Sequence, residues 1–227
     1  VYPRLRLSEA EDRLVEFDAI IIGTEQVRAE HFQKATNLKA VIKFGVGMDN
    51  IDKDAAEKYG VKVLNLPGVN SDAVAEMAFS LLMAVTRRIA EGDRKVRSGE
   101  WPRLMAWSTK GKTLGIIGTG TIGRTLAHMV SGLDMKIIGY DPYPNEEFTK
   151  MGGVYVGLEE VFKTSDYISI HTPLMDTTYH LVGKNEFELM KNTAILINTA
   201  RGPIVDEEAL YDALVTGKIA AAGVDVF

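Results

Sequence analysis

The sequence predicts an α/β fold: a smaller parallel-sheet domain followed by a doubly wound, six-stranded parallel sheet. Three observations predict it. Short apolar runs alternate with helical patterns along all 227 residues, as parallel strands covered on both faces require. One run, Thr113-Leu-Gly-Ile-Ile, leads straight into Gly118-Thr-Gly-Thr-Ile-Gly123 and then into a helical pattern. Another, Lys136-Ile-Ile-Gly-Tyr140, ends in Asp141.

The elements follow in order. Ser8-x-x-Glu11 has the form of a capping box that opens a helix. Apolar runs at 19–23, 40–45 and 62–67 read as buried strands, with helices over 24–35 and 51–59 between them. From Ser71 to Val96 the pattern is one long helix, with Ala75, Ala78, Leu81, Leu82 and Val85 on its apolar face and Gly92 as its weak point. A stretch rich in Arg, Trp, Ser and Pro comes next. The expected division is a first domain over 1–98, a linker over 99–111 and a second domain over 112–227. Strand runs in the second domain lie at 113–118, 136–141, 153–156, 167–171, 193–199 and 220–227, with a helix over 206–216 capped by Asp206 and closed by Gly217. Six strands fill a Rossmann sheet of order 3-2-1-4-5-6. The chain opens without the strand of a first βα unit and stops at the tip of its sixth strand, so both domains are expected to be incomplete at the chain ends.

Ligands of such a sheet bind beyond the carboxyl ends of its strands. Gly118 makes the tight turn, Gly120 lets the backbone approach a pyrophosphate, and Gly123 lets the helix pack on the strand. The phosphates sit at the helix N-terminus, where unpaired N–H groups and the helix dipole favour an anion. Asp141 stands where an acidic side chain accepts the adenine ribose hydroxyls, roughly 20 residues beyond the glycines. The alternative is a tight βα turn with a solvated aspartate. Topology also selects His171-Thr172-Pro173, Asn198 to Gly202, and Asp225 to Phe227. Arg201 is placed to hold a carboxylate bidentately; an ordinary ion pair with Glu207 is the alternative. Thr172 offers a hydroxyl to a cofactor, and Pro173 stops the strand. His171 reads as a cofactor-shell or packing residue rather than a base. Asp225, among Val224, Val226 and Phe227, is expected to need a hydrogen-bond partner, either a nicotinamide carboxamide or a local backbone group. In the first half, Gly45-Val46-Gly47 forms a second glycine-rich strand exit whose amides suit an anion. Asp49 and Asn50 beside it have the chemistry of turn and cap residues.

Composition narrows the function. Hydrophobic residues make up 46% and charged residues 25%, ordinary for a globular domain, and the net charge of −5 argues against a nucleic-acid partner. The longest apolar run is far short of a membrane span of roughly 20 residues, and no basic leader opens the chain. Cysteine is absent, which removes disulfides, thiolate metal sites and cysteine nucleophiles. No metal site is expected, and the cytoplasm is the default compartment.

Taken together, the motifs Phe44-Gly-Val-Gly-Met-Asp-Asn-Ile-Asp52, Gly68-Val-Asn-Ser-Asp-Ala-Val-Ala-Glu76, the glycine fingerprint with Asp141, Ile170-His-Thr-Pro-Leu174, Asn198-Thr-Ala-Arg-Gly202 with Ile204-Val-Asp-Glu207, and Gly223-Val-Asp-Val-Phe227 cover most of the chain. They resemble the D-isomer-specific 2-hydroxyacid dehydrogenase family, its phosphoglycerate dehydrogenase branch most closely. The resemblance implies an NAD-dependent oxidoreductase for a small 2-hydroxy or 2-oxo acid, with a smaller flavodoxin-like substrate domain and a Rossmann NAD domain flanking a cleft. It places Gly45, Val46, Gly47 and Arg201 at the substrate, Arg201 being the catalytic residue named within this chain. Gly118, Gly120, Thr121, Ile122 and Gly123 fall at the pyrophosphate, Asp141 at the ribose, His171, Thr172, Pro173, Thr199 and Ala200 along the cofactor, and Asp225 on the carboxamide. A homodimer through the NAD domain and a place in serine biosynthesis are also implied. Two departures stand against it. The family's catalytic histidine and its orienting glutamate follow the sixth strand, so residues Val1 to Phe227 alone are expected to bind NAD without hydride transfer. Gly23 and Lys43 also stand where phosphoglycerate dehydrogenases carry arginines, which weakens the case for a phosphorylated substrate. Glyoxylate or hydroxypyruvate reduction, or a non-catalytic NAD-binding module, are the alternatives.

Overall fold

A computed structural model describes residues 6–227 and divides them into two units, one up to Asn70 and one from Ser71 onward. Residues 1–5, where a first strand is missed in the sequence, lie outside the described residues. The first unit runs α1 (Leu7–Ala10), a 3-10 turn (Glu11–Glu16), β1 (Ala19–Ile22), α2 (Ala29–Lys34), β2 (Ala40–Lys43), α3 (Lys53–Lys58) and β3 (Lys62–Leu64). Its three strands pair in parallel, in the order β1-β2-β3. All three were expected. The row Ile20–Val41–Val63 faces a core of Leu14, Val27, Phe32 and Leu38. The next row, Ile21–Ile42–Leu64, points the other way, and Ile21 and Leu64 stand 71% and 51% exposed. Among the described residues this sheet is therefore covered on one face only.

Local chemistry revises two expectations here. Ser8-x-x-Glu11 makes no capping box: the Arg6 amide donates to Glu9 Oε2 at 2.9 Å, and Glu11 instead accepts from Lys34 Nζ at 2.8 Å. The helix expected from residue 24 begins only at Ala29, because Val27 bridges Ile51 through Val27 N to Asn50 O (2.8 Å) and Asp52 N to Val27 O (2.9 Å). Asp52 then caps α3 by accepting from the Ala55 amide at 2.9 Å.

The second unit opens with α4 (Ser71–Thr86) and α5 (Ile89–Arg97). The single long helix expected over this span breaks at Arg87 and Arg88. Arg88 adopts a left-handed conformation (φ 52°), and its side chain is held by Glu91 and by the Met105 carbonyl. Gly92, the expected weak point, lies inside α5. There follow β4 (Thr113–Ile117), α6 (Thr121–Met129), β5 (Lys136–Tyr140), α7 (Glu146–Lys150), β6 (Val154–Tyr155), α8 (Leu158–Thr164), β7 (Tyr167–Ile170), α9 (Lys184–Leu189), β8 (Ile195–Asn198), α10 (Glu207–Val215) and β9 (Ala221–Val224). All strands are parallel, in the order β6-β5-β4-β7-β8-β9, which is the 3-2-1-4-5-6 arrangement expected from the sequence.

Both faces of this sheet are buried. Val161, Phe162, Phe187 and Ala213 from α8, α9 and α10 pack with Ile168, Ile170 and Leu196 on one side. Ala75, Ala78 and Leu82 of α4 pack with Leu126 of α6 against Leu114, Ile116 and Ile197 on the other. Each buried Val, Leu, Ile or Phe side chain among them contributes about 1.5–3 kcal/mol relative to exposure. The small residues of α4 let it lie close on the second sheet, so by packing the division falls before Ser71 and not after residue 98 as the sequence reading has it. No helix of the described residues is long and apolar enough to cross a membrane.

Candidate functional site

The strand tips of the second unit hold most of the expected residues. β4 ends at Ile117, and Gly118 turns the chain with φ 93°, its amide donating to the Tyr140 carbonyl at 2.9 Å. A Cβ on Gly118 would lie 2.7 Å from the His171 backbone, and one on Gly123 would lie 2.2 Å from the Gly118 carbonyl oxygen. These two glycines exist for packing. Gly120, the N-cap of α6, differs: a Cβ there meets nothing within 4 Å. The space above the first turn of α6 is thus open, and Thr121, Ile122 and Gly123 present their amides there.

Asp141 follows β5. Its Oδ2 accepts from the Thr119 amide at 2.8 Å and its Oδ1 from the Tyr143 amide at 2.9 Å. The carboxylate is held by backbone, with lone pairs to spare for further donors. Thr119 lies between the first two glycines, and in the sequence nothing but its place in the fingerprint points to it.

At the tip of β7, the His171 amide closes the ladder onto Ile117 O at 2.7 Å. Its Nε2 lies 2.9 Å from Ser169 Oγ, and Nδ1 is buried without a partner among the described residues. Burial pushes the ring down from 6.5 to about 4. A general acid or base works best with a pKa near the working pH, and this ring is neutral where such a group would act. The unfolded chain protonates His171 near 6.5, whereas the folded protein resists until about 4. Stability therefore falls as pH drops through that window, by about 3 kcal/mol at most from this group. Urea unfolding at pH 7 and pH 4.5 should show a gap between wild type and His171→Asn that shrinks at the lower pH; a gap independent of pH would contradict it.

Beside His171, the hydroxyls of Thr172 and, at the tip of β8, Thr199 are buried without hydrogen-bond partners among the described residues. Orphaned buried hydroxyls at the tips of β7 and β8, and an open helix N-terminus after β4, are features a polar ligand would satisfy. Pro173 is exposed, and its carbonyl accepts from Thr178 Oγ1 at 2.7 Å. Asn198 braces the next turn: its Oδ1 accepts from the Ala200 amide at 3.0 Å, and its Nδ2 donates to the Arg201 carbonyl at 2.9 Å. The Arg201 guanidinium is half-buried and donates from Nη1 to the Ala200 carbonyl at 2.6 Å. Asn198 closes an apolar strand run just before a turn, which was the one available sign of this bracing role. Asp225 departs from expectation. It is exposed just past β9, its amide bound to Asn198 O at 3.0 Å, so burial imposes no need for a partner on its side chain.

In the first unit, the loop after β2 presents Gly45 (φ 145°), Val46 and Gly47. The Gly45 carbonyl accepts from Leu66 N at 3.0 Å, and the Val46 carbonyl from Asn65 Nδ2 at 2.7 Å. The loop is anchored through these carbonyls and through the Gly45 amide, which donates to the Lys43 carbonyl at 3.0 Å. Asn50 is buried and ties the loop to Glu25 O at 2.6 Å and Gly23 O at 3.2 Å, a bracing role of the kind its turn chemistry suggests.

Residues 79–227 match the family described as D-isomer specific 2-hydroxyacid dehydrogenase, NAD binding domain. Over 95% of its length the chain is 45% identical to a glyoxylate reductase of Korarchaeum cryptofilum, of which it covers 68%. It is 42% identical to a D-3-phosphoglycerate dehydrogenase of Archaeoglobus fulgidus, over 93% of this chain and 41% of that one. The D-lactate dehydrogenase of Aquifex aeolicus, solved with NAD and lactic acid, superposes with a TM-score of 0.89 at 34% identity, covering 96% of this chain and 66% of that one. The chain therefore belongs to the D-isomer-specific 2-hydroxyacid dehydrogenase family, and its second unit is that family's NAD-binding domain.

Proposed function

We propose that the protein is an NAD-dependent oxidoreductase that interconverts a small D-2-hydroxy acid and its 2-oxo acid, and that its substrate is unphosphorylated, of the glyoxylate or hydroxypyruvate class. The orphaned Thr172 and Thr199 hydroxyls at the tips of β7 and β8, and the open N-terminus of α6, support the cofactor assignment. Bound NAD supplies hydride exchange between its nicotinamide and C2 of the substrate. In this reading Gly120, Thr121 and Ile122 face the pyrophosphate, Asp141 accepts the ribose hydroxyls, and Thr172, Thr199 and Ala200 line the cofactor. Asp225, exposed at the tip of β9, accepts from the carboxamide. Arg201 is assigned to the substrate carboxylate, fixing the orientation of C2, and the loop of Gly45, Val46 and Gly47 is assigned to substrate binding in the first unit.

Lys43 carries the choice of substrate. It is buried, and its ammonium donates to the Gly23 carbonyl and, at 3.1 Å, to Asn50 Oδ1. A lysine committed to internal bracing is a poor phosphate ligand, and Gly23 brings no side chain at all. The phosphoglycerate dehydrogenase reading loses both of its cationic positions in the first unit. The names of the relatives point the same way, glyoxylate reductase recurring among them.

The test is NADH and NADPH oxidation by the full-length protein with glyoxylate, hydroxypyruvate and 3-phosphohydroxypyruvate. The two unphosphorylated acids should be preferred in kcat/KM, and NADH should be preferred over NADPH. Asp141 accepts hydroxyls but repels a 2′-phosphate, and no arginine stands in Pro142-Tyr-Pro-Asn145 to offset it. Asp141→Ala should narrow the gap between the dinucleotides. Comparable turnover of 3-phosphohydroxypyruvate would remove the substrate assignment, and equal use of NADPH by the wild type would remove the cofactor preference.

A further inference from the structure

We propose that Tyr155 is a positioning residue for dinucleotide discrimination, acting on Asp141 through Thr119. The proposal rests on the NAD-binding reading of the second unit and extends it to a side chain on a neighbouring strand. Tyr155 closes the two-residue strand β6, beyond β5 from the glycine turn. Its hydroxyl lies 2.6 Å from Thr119 Oγ1 and accepts from the Asn145 amide at 2.8 Å. Thr119 Oγ1 in turn donates to Asp141 Oδ2 at 3.3 Å. A carboxylate only accepts, so with the Thr119 O–H turned to Asp141 Oδ2 it is Tyr155 O–H that donates to Thr119; the Asn145 carbonyl, 3.4 Å from the phenol, is the other acceptor within its reach.

The consequence is that one phenol holds both ends of the segment from Asp141 to Asn145. At one end it sets the carboxylate through Thr119. At the other it holds Asn145, whose side chain accepts from the Glu147 amide at 2.8 Å and starts α7. The phenol is itself seated firmly. Its ring lies 5.0 Å from that of Phe148, which is fully buried. Gly139 and Gly153 are required for that seat, since a Cβ on either would come within 2.7 Å of the Phe148 ring. The arrangement needs β5, β6 and the start of α7 in register, which is more than a solvated loop needs to cover a strand end. It aims the one group in this segment that separates a ribose hydroxyl from a ribose phosphate.

Removing the phenolic hydroxyl leaves Thr119 Oγ1 and the Asn145 amide without this partner while the ring stays packed. The carboxylate is then less well aimed. NADH loses part of its hydrogen bonding, while NADPH, which gains nothing from Asp141, does not. The test is equilibrium titration of the whole chain with NADH and NADPH, followed by dinucleotide fluorescence. Tyr155→Phe should weaken NADH by about 3- to 10-fold, the span for loss of one hydrogen bond, and leave NADPH unchanged, so that the ratio of the two affinities falls. Thr119→Val should behave alike, and Thr119→Ser, which keeps the hydroxyl, should restore the wild-type ratio. In an Asp141→Ala background Tyr155→Phe should no longer alter the ratio, because the group it positions is gone. A Tyr155→Phe variant with the wild-type ratio, or one weakened equally toward both dinucleotides, overturns the proposal alone. A wild-type chain that binds neither dinucleotide, or binds NADPH as tightly as NADH, overturns the nucleotide reading beneath it and the proposal with it.

Discussion

In the full-length protein, replacing Arg201 with alanine is expected to lower kcat/KM for glyoxylate by about 10²–10³-fold, the cost of truncating one partner of a hydrogen-bonded charge pair. The affinity for NADH should stay within about twofold of wild type, since the lost group faces the acid and not the dinucleotide. The expectation comes from how the turn after β8 is built. Asn198 is buried and bonds both the Ala200 amide and the Arg201 carbonyl, so the backbone that carries the guanidinium does not drift. Nη1 is spent on the Ala200 carbonyl, which orients the planar group further. A fork held this way suits the two oxygens of a carboxylate. Arg201→Lys keeps the charge but offers a point in place of a fork, so it should recover only part of the loss, mainly in KM. Asn198→Ala should resemble a weaker Arg201→Ala, because it loosens the turn and leaves the charge. Steady-state kinetics and NADH titration of the three variants decide the matter. Turnover of Arg201→Ala near that of wild type, or loss of NADH affinity in step with activity, would remove Arg201 from the substrate.

The second unit is legible in the sequence because its constraints are local. A strand buried on both faces must be apolar throughout, so β4, β7 and β8 announce themselves. Gly118 and Gly123 face backbone too closely for any Cβ, and no other residue type substitutes for them. What the sequence hides depends on partners distant along the chain. The apolar face of α4 shows that the helix is buried but not on which sheet, and so the boundary was read too late. Arg87 and Arg88 are good helix formers in isolation, yet Arg88 ends the helix because Glu91 and the Met105 carbonyl hold its side chain. Ser8 and Glu11 have the letters of a capping box, but Glu9 is nearer to the Arg6 amide and Lys34 draws Glu11 away. The site follows the same rule. Positions at the strand tips, Asn198 among them, can be reached by counting, whereas Thr119 meets Asp141 and Tyr155 only once the sheet is assembled.

The three glycines of the fingerprint should separate under alanine substitution, and this is the sharpest test of where the dinucleotide lies. At Gly123 a Cβ falls 2.2 Å from the Gly118 carbonyl oxygen and 3.0 Å from the Ile116 side chain. The oxygen belongs to backbone, so α6 must move away from β4. Gly123→Ala should cost about 1–3 kcal/mol or more of stability and weaken NADH as a consequence. At Gly118 the strain is doubled, by the positive φ and by the His171 backbone 2.7 Å away. Gly120 is the informative one. Its backbone (φ −61°, ψ −164°) is open to any residue, and a Cβ there touches nothing. Alanine is the poorer N-cap, but it also restricts the unfolded chain by about 0.4–1 kcal/mol. The two effects oppose each other, so Gly120→Ala should leave the unfolding midpoint almost unchanged. Its methyl group nevertheless enters the space over the first turn of α6, where the pyrophosphate is assigned. NADH affinity should fall by about 10- to 100-fold, the range of an overpacking penalty of about 1–3 kcal/mol. Stability and binding thus part at Gly120 and fall together at Gly123. Urea unfolding and NADH titration of the two variants measure both. If Gly120→Ala binds NADH as wild type does, no phosphate approaches that turn, and the cofactor must lie elsewhere on the strand tips.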